Sequence, residues 1–557
     1  MSKIFIAVSF AASTAIFCAP SGAPELSPAD QAAANVAIKV IRPEAIAAHM
    51  RFLSDDLLEG RQTGSRGHEI AAQYVATELE AMGLQPAGVS GTWFQSVPLR
   101  KVDLVPEQSS FELVREGKAQ TLIFGQDYIM DGNPRATDAS VEAGAVFVGF
   151  GVSAPEFNYD DYAGVDVRGK VAVMMRGAPP RFPSTERAYF SDGVVKARNA
   201  AAHGAVGIIT VIPPEFFERY KWDWIVPQVR AGGMWWLDPQ GVPADTHPEI
   251  RASALLNQSG AQELFAGAAK TLPEIFAASR ESKSESFELP LKVKIHRVSR
   301  YTPIESRNVI GKLKGSDPAH AKEYVVFTAH MDHLGICRPA EQDAVCHGAW
   351  DNASGTSAVL EVARAFSSLR RVPRRSILFV FVTGEEKGLR GSDYFAHYPT
   401  VPIEKIVADV NIDGAPGMIY PNKDIVPLGA EHSSLSKNVQ AAARKMGYTI
   451  SPDPLPEEVI FIRSDQYSFV KQGVPAVFMT PGRQSADPKL DGAAIFNKWI
   501  SSIYHTPQDN MSQPFYFESA ARSTALSFLV GYEVAQQPER PTWNAGDSFG
   551  TKFSKKQ

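Results

Sequence analysis

The chain has 557 residues, of which 44% are apolar and 21% charged, and its 56 basic and 61 acidic side chains give a formal net charge of -5. This ordinary composition excludes a collagen-like, disordered or wholly transmembrane protein. Nucleic-acid binders favour a basic balance, so the slight acidity predicts no nucleic-acid partner. At about 100–200 residues per domain, the length predicts two or three domains.

The first 23 residues have the pattern of an export signal. Lys3 supplies a positive start, and an uncharged, mostly apolar run follows from Ile4 to Cys18. This run is shorter than the about 20 residues that span a bilayer, but it suits the core of a signal peptide. A buried N-terminal helix is the alternative, and a lipoprotein cysteine at Cys18 is a weaker one, because the bulky Phe17 precedes it. We therefore expect a periplasmic or secreted protein with no stable membrane span after signal removal.

Removal of the signal leaves Cys337 and Cys346 as the two remaining cysteines. In an oxidising compartment, a disulfide that closes the short CRPAEQDAVC loop is the expected state. Two unrelated free thiols are the alternative. Mass spectrometry under non-reducing conditions distinguishes the two.

Helical and extended patterns alternate along the first half of the chain. The polar loop LEGRQTGSRG leads into an apolar stripe over residues 68–82 that predicts a helix ending at Gly83. From about residue 136 to 290, the runs AVFVGFGV, KVAVMMRG and VGIITVIPP predict strands, with a helix over 194–202, and together they indicate a separate β-rich module. Its tryptophans are interpreted as core packing, with a surface for substrate or a partner subunit as the alternative: Trp222, Trp224, Trp235 and Trp236.

The second half has the pattern of an α/β domain. Near-continuous hydrophobic runs at 324–329, 377–382, 406–412 and 476–479 predict strands covered on both faces, with a helix over 355–366. Alternating strands and helices predict a mixed, mainly parallel sheet sandwiched by helices. In such sheets, active sites gather at the carboxyl ends of the strands.

Acidic and imidazole side chains follow these predicted strands and the turn before the helix. The side chains that this pattern brings to one edge of the sheet are His330, Asp332, Asp351, Glu385, Glu386, Asp413, Tyr504 and His505. A set of two histidines and three carboxylates suits zinc best, with manganese or cobalt as substitutes. The number of ligands exceeds what one zinc with an open position needs, which indicates two metals about 3.5–4 Å apart that share a carboxylate. Consecutive glutamates point in different directions, so one can bind metal while the other acts as a general base.

Five segments resemble the motifs of the co-catalytic di-zinc aminopeptidases, the family that includes glutamate carboxypeptidase and the transferrin receptor: TAHMDH, GAWDNASGTSA, TGEEKGLRGS, VNIDG and YHTPQDN. The middle module is similar to the protease-associated domain inserted in many members. The resemblance implies a zinc-peptidase fold with this domain organisation: signal peptide 1–23, N-terminal part of the catalytic domain 24–135, protease-associated domain 136–290 and catalytic domain 291–557.

The resemblance also implies a role for each site residue. One zinc would be held by His330, Asp351 and Asp413, and the other by Asp351, Glu386 and His505, with Asp351 bridging the two. The remaining implied roles are a general base at Glu385, orientation of His330 by Asp332, an oxyanion donor at Tyr504, and a position near the substrate cleft for Ser464, Asp465 and Arg463. Trp350 departs from the smaller or acidic residue that many members carry, so the shape of the pocket there differs from the usual one.

The function expected from these residues is an exported di-zinc exopeptidase that removes N-terminal residues from peptides through a metal-activated bridging water. A carboxypeptidase or dipeptidase with the same metals is the first alternative, with Arg463 holding the substrate carboxylate, although a structural ion pair is the commoner fate of such an arginine. The others are a receptor-like protein without catalysis and a cyclising acyl transferase with one zinc. The inserted module is expected to cap the cleft. The oligomeric state stays open, with a dimer among the alternatives.

Overall fold

The computed structural model describes residues 26–283, 285–337 and 343–554, so the signal segment and Cys18 lie outside it. Within these ranges, no helix has the length and apolarity that a membrane crossing requires. The helices are α1 Pro28–Ala37, α2 Pro43–Leu53, α3 Arg66–Ala81, α4 Ser184–Ser191, α5 Gly193–Ala202, α6 Phe216–Arg219, α7 Trp222–Arg230, α8 Gln258–Phe265, α9 Leu272–Arg280, α10 Gly355–Ser367, α11 Arg390–His397, α12 Leu435–Met446, α13 Gln466–Val470, α14 Gly492–Ser502, α15 Phe517–Gln536 and α16 Ser548–Phe553.

Strands from both halves of the chain build two sheets and two short hairpins. They are β1 Gln85–Pro86, β2 Phe94–Leu104, β3 Ser110–Arg115, β4 Lys118–Thr121, β5 Tyr128–Ile129, β6 Asp138–Phe147, β7 Ser153–Ala154, β8 Tyr159–Asp160, β9 Val171–Met175, β10 Gly207–Val211, β11 Gly233–Trp236, β12 Ala252–Leu256, β13 Phe287–Leu313, β14 Tyr324–His330, β15 Gly335–Ile336, β16 Val345–Cys346, β17 Ser376–Val382, β18 Ile406–Asn411, β19 Asp424–Leu428, β20 Thr449–Ile450 and β21 Ala476–Pro481.

The first sheet is the mixed sheet that the sequence predicts. Strands β17, β14, β18 and β21 lie side by side in parallel, β13 runs antiparallel to β17, and β19 runs antiparallel to β21. Helices α10 and α15 pack on one face of β14, and α11 and α13 cover the other face. Because side chains alternate along a strand, Phe327 meets the first pair of helices and Val326 the second. The α/β fold class is confirmed, and so are the helices predicted over 68–82, 194–202 and 355–366.

The second sheet belongs to the β-rich module. Its order is β4-β3-β13-β6-β9-β10-β12-β5, in which β6, β9, β10 and β12 are parallel. Strands β3 to β5 precede residue 136, so this sheet also draws on the segment just before the module. Strand β13 has 27 residues and takes part in both sheets, pairing with β6 through its first half and with β2 and β17 through its second.

The tryptophans of the module differ from one another in burial. Trp236 is buried and donates to Asp393 Oδ2 of α11 at 2.8 Å, so it packs against α11 from β11, which pairs with β2, while 48% of Trp224 is exposed. The packing interpretation therefore fits Trp236 and does not fit Trp224.

A disulfide joins Cys337 to Cys346 beside the β15–β16 hairpin, which is the pairing expected from the sequence.

Candidate metal centre

The carboxyl ends of the central strands deliver the side chains of the site. His330 is the last residue of β14, Asp413 follows β18, and the two glutamates follow β17 after Gly384, whose φ of 69° turns the chain out of the sheet. The loop before α10 contributes Asp351, and the loop after α14 contributes His505. Every metal ligand that the resemblance implies therefore lies at one edge of the first sheet.

His330 is the centre of a first group of donor atoms. Its Nε2 lies 3.3 Å from Asp351 Oδ1 and 3.2 Å from Asp413 Oδ1, and the ring is fully buried. Nδ1 lies 3.1 Å from the carbonyl oxygen of Asp332, which can only accept, so Nδ1 carries the proton. The lone pair of Nε2 is thereby directed at the two carboxylates, as a metal ligand requires.

A second group of donor atoms surrounds the other oxygen of Asp351. His505 Nε2 lies 3.0 Å from Asp351 Oδ2 and 3.3 Å from Glu386 Oε2. His333 also lies in this group, although the sequence pattern assigns it no role. Its Nδ1 lies 2.7 Å from Glu386 Oε1 and 3.8 Å from Asp351 Oδ2. Because its two oxygens face different histidines, Asp351 stands between the groups in the position of a bridge.

This donor set fits two divalent cations. The Glu386 Oε1 atom is buried and has no hydrogen-bond partner within the described residues, which is costly for a carboxylate unless a cation compensates it. Burial, together with the charges of Asp413 and Glu386, raises the pKa of Glu385 well above its usual range. Imidazole nitrogens and carboxylate oxygens in this ratio suit zinc.

Glu385 is held beside the first group by Asp332. Its backbone N–H donates to Asp332 Oδ1 at 3.2 Å, and Thr63 donates to the other oxygen at 2.9 Å. The Asp332 carboxylate lies 3.9 Å from His330 Nδ1, so contact with that ring runs through the backbone carbonyl. The implied orientation of His330 thus comes from the Asp332 main chain, while its side chain positions the Glu385 backbone.

Two further residues support the ligands from distant parts of the chain. Arg61 is buried and donates to the carbonyl oxygens of Leu53, Met331, His347 and Gly348, and burial lowers its pKa to about 10. Asp509 accepts from the backbone N–H of Trp350 at 2.8 Å and of Asp351 at 3.1 Å. Arg61 lies in the polar loop LEGRQTGSRG and Asp509 in the segment YHTPQDN, but the local sequence pattern gives no sign of the partners that these side chains contact.

The three residues expected near the cleft have different surroundings. Ser464 donates to Asp413 Oδ2 at 2.7 Å, so it contacts a metal-ligand candidate directly. Asp465 is buried, and burial raises its pKa to about 7. Arg463 is partly exposed, with Nη1 3.5 Å from Glu458 Oε2. Tyr504 stacks on His505 with the ring centroids 3.8 Å apart.

A cavity of about 1250 Å³ lies in front of the site, between the two sheets. One wall carries ligand candidates and Tyr504, and the other carries residues of the β-rich module that include Arg176 and Phe216. Tyr220 of the module donates to Glu458 Oε2 at 2.6 Å. The module therefore covers the site and makes contact across the cavity.

Sequence comparison finds a known family in each of two segments of the chain. Residues 308–527 match peptidase family M28, and residues 138–228 match the PA domain. Over residues 308–527, the segment called the M28 domain here, the chain is similar to peptidase family M28. The M28 domain corresponds to the first sheet and its metal centre, and the PA domain corresponds to the module over the cavity.

Proteins similar to this chain include some that are named as aminopeptidases. Aminopeptidase NAALADL1 of Rattus norvegicus is 25% identical over 407 residues, which are 64% of this chain and 49% of that protein. Aminopeptidase YwaD of Bacillus subtilis is 25% identical over 268 residues, 47% of this chain and 50% of the relative. The chain thus spans about half the length of these relatives. An aminopeptidase from Aneurinibacillus sp. strain AM-1 shares the fold, with a TM-score of 0.53, 18% identity, and coverage of 91% of this chain and 97% of that one.

Proposed function

We propose that the protein is an exported di-zinc aminopeptidase, which hydrolyses the N-terminal peptide bond of short peptides. The observation that carries the proposal is the position of Asp351, with one oxygen 3.3 Å from His330 and the other 3.0 Å from His505. Such an arrangement suits two metals that share one carboxylate. Glu385 lines the same cavity without being needed as a ligand.

Amide hydrolysis needs a nucleophile, a place for negative charge and a proton for the leaving amine. Two zinc ions bound here would lower the pKa of a shared water and polarise the scissile carbonyl. Glu385 takes the proton of that water on its carboxylate and returns it to the leaving nitrogen. Burial raises the pKa of Glu385 well above its usual range, which suits a group that acts as a base and then as an acid.

Asp332 and Tyr504 support this proton transfer from two sides. The Asp332 carboxylate fixes the Glu385 backbone, so the base keeps its position while its charge changes. Tyr504 lines the cavity next to His505, where its hydroxyl can donate to the oxyanion of the tetrahedral intermediate. Burial raises the pKa of Tyr504 well above its usual range, so the hydroxyl stays a donor at neutral pH.

The carboxylates that line the cavity next to the metal centre favour an aminopeptidase over a carboxypeptidase. Glu385 and Asp413 line the cavity and can accept from a substrate ammonium. Arg463, the cation that would hold a substrate carboxylate, lies beside the carboxylate of Glu458. The relatives NAALADL1 and YwaD are both named as aminopeptidases, which supports the same choice.

The test uses the purified, zinc-loaded protein on two substrate sets. We expect hydrolysis of aminoacyl-anilides and of dipeptides with a free amino terminus, and no hydrolysis of N-blocked dipeptides with a free carboxyl terminus. The reverse pattern would establish the carboxypeptidase alternative, and stoichiometric zinc without hydrolysis of a peptide library would establish the receptor-like one. N-terminal sequencing of the protein recovered from the periplasm or medium tests export, which requires that the first 23 residues are missing.

A further inference from the structure

His333 is a buried histidine that has no role in the proposed reaction. Its side chain has no exposed surface, and His333 does not belong to the described lining of the cavity, so it does not contact a substrate there. Neither ring nitrogen has a hydrogen-bond partner within the described residues. An imidazole in such a place costs free energy unless another partner satisfies it.

The direction in which His333 points identifies that partner. Nδ1 lies 2.7 Å from Glu386 Oε1, yet neither atom meets the geometry of a hydrogen bond, and both are buried. Two ligand atoms of a tetrahedral zinc stand about 3.3–3.6 Å apart, because each metal–ligand bond is about 2.0–2.2 Å long. His333 Nδ1 lies 2.7 Å from Glu386 Oε1 and 3.8 Å from Asp351 Oδ2, distances on either side of this separation, so it faces both carboxylates as a further donor atom of the same group.

Backbone packing holds the ring in this position. The His333 N–H donates to the carbonyl of Arg61 at 3.2 Å. Gly348 packs against the ring, and a Cβ there would come within 2.6 Å of His333 Cγ and Cδ2. A side chain at position 348 would therefore displace the ring from its present position, and the φ of 58° at Gly348 also favours glycine.

We propose that His333 Nδ1 is a fourth protein ligand of the metal held by Asp351, Glu386 and His505, an inference that rests on the proposed two-metal site. The two positions then differ in chemistry: one has a single imidazole, from His330, and the other has two. Imidazole favours zinc, whereas carboxylate-rich sites also accept manganese. The position with His333 therefore keeps its zinc, and the position with His330 and Asp413 exchanges metal first.

The experiment compares the wild-type protein with H333Q and with a matched control, H347Q. Glutamine keeps a donor for Glu386 but is a poor zinc ligand, so it separates coordination from hydrogen bonding. His347 is also buried and follows Cys346 of the disulfide, but its ring nitrogens face Asp56 at 3.2 Å and Asp343 at 3.4 Å. Thermal unfolding of the metal-free proteins shows whether each variant folds as the wild type does.

Each metal-free protein is titrated with zinc against a competing chelator, and bound zinc is counted by mass spectrometry. We expect two zinc ions in all three proteins at high zinc, with the affinity of the tighter position at least 100-fold lower in H333Q and unchanged in H347Q. X-ray absorption at the zinc edge of the fully loaded proteins should find three imidazoles shared between two zinc ions in the wild type and in H347Q, and two in H333Q.

Three results would overturn the inference: an unchanged affinity in H333Q, an unchanged number of imidazoles, or an equal loss in H347Q. None of these touches the proposed function, which fails instead if the wild-type protein binds fewer than two zinc ions. If H333Q does not fold, the wild-type spectrum still decides, because two imidazoles in the loaded wild type contradict the assignment of His333.

Discussion

Glu385 and Glu386 are neighbours in the chain with different surroundings. Glu386 lies between two histidines, 2.7 Å from His333 and 3.3 Å from His505. Glu385 lies 3.9 Å from the nearest imidazole nitrogen and faces the cavity. Gly384 allows the two side chains to point in different directions, because its left-handed backbone starts a tight turn at the end of β17. In the proposed function, Glu386 is therefore the metal ligand of the pair and Glu385 the base.

The first prediction concerns Glu385. In E385Q we expect kcat to fall by roughly 10²–10⁴-fold, because the amide cannot take the proton of the attacking water. Zinc content should stay at the wild-type value, since the ligands are untouched. Steady-state kinetics with an aminoacyl-anilide and metal analysis of the same sample check both parts. Near-normal turnover in E385Q contradicts its role as the base.

The second prediction concerns Arg61. In R61M the carbonyl oxygens of Met331, His347 and Gly348 lose a buried donor, so we expect the free energy of unfolding to fall by at least about 3 kcal/mol. Urea unfolding of the metal-free proteins measures it. The control is R66M at the exposed start of α3, where a change within about 0.5 kcal/mol is expected. Equal effects in the two variants would show that the burial of Arg61 is irrelevant to stability.

The site could be predicted from the sequence to the extent that each ligand follows its own hydrophobic strand. His330, Glu386 and Asp413 are local signals of this kind. Arg61 and Asp509 are not, because their partners lie far away in the chain and only the fold brings them together. His333 could not be predicted for a different reason. Side chains that alternate at the end of β14 place His330 and Asp332 on one side and His333 on the other. Only the course of the following loop, which the sequence pattern does not show, brings His333 to Glu386.

At the scale of elements, the C-terminal segment around α16 contacts both the PA domain and the M28 domain. His432 lies between them, with Nε2 2.7 Å from Thr185 Oγ1 of α4 and Nδ1 2.7 Å from Asp547 Oδ2, just before α16. Phe549 of α16 packs edge-on against the same imidazole and against Tyr189 of α4. One histidine therefore connects three separate segments of the chain.

The third prediction is a pH dependence at this junction. Burial alone lowers the pKa of His432, but the hydrogen bond to Asp547 and the charges of Glu431, Asp547 and Glu186 outweigh it, and the net pKa is raised. A raised pKa stabilises the folded state fully below the unfolded value of about 6.5, and this contribution is lost as pH rises through the folded value. We expect the free energy of unfolding to fall over that range in the wild type.

The measurement is urea unfolding of the metal-free protein between pH 6 and pH 9, with H432Q as the comparison. Glutamine does not titrate, so the part of the slope that belongs to this group should disappear. The same pH dependence in both proteins would show that His432 carries no proton at the junction.

At the scale of the whole molecule, we expect the cavity between the two domains to limit which peptides reach the metal centre. The hydroxyl of Tyr220 reaches Glu458 of the M28 domain, so the two walls are joined in front of the metal centre. This contact agrees with the expectation that the inserted module caps the cleft. The two walls come from distant parts of the chain and face each other only in the folded protein. The residues that make this contact could therefore not be predicted from the sequence.

The fourth prediction uses this contact. In Y220F we expect kcat/KM for peptides of four or more residues to rise several-fold relative to dipeptides, because the two walls are no longer joined there. Zinc content should not change. The control is Y189F, a buried tyrosine of the same domain whose hydroxyl accepts from Arg198 and which lies outside the described cavity lining. An unchanged length preference in Y220F contradicts a restrictive role for this contact.

The shared strand β13 has a consequence for engineering. Its 27 residues pass from one sheet into the other without a break, and β3 to β5 also enter the second sheet from the preceding segment. Residues 136–290 therefore cannot be removed cleanly: their excision would cut the first residues of β13, take away β12, the partner of β5, and take away β6, which pairs with β13. Chimaeras between relatives should exchange β3 to β13 as a unit, with the crossover placed in the half of β13 that pairs with β17.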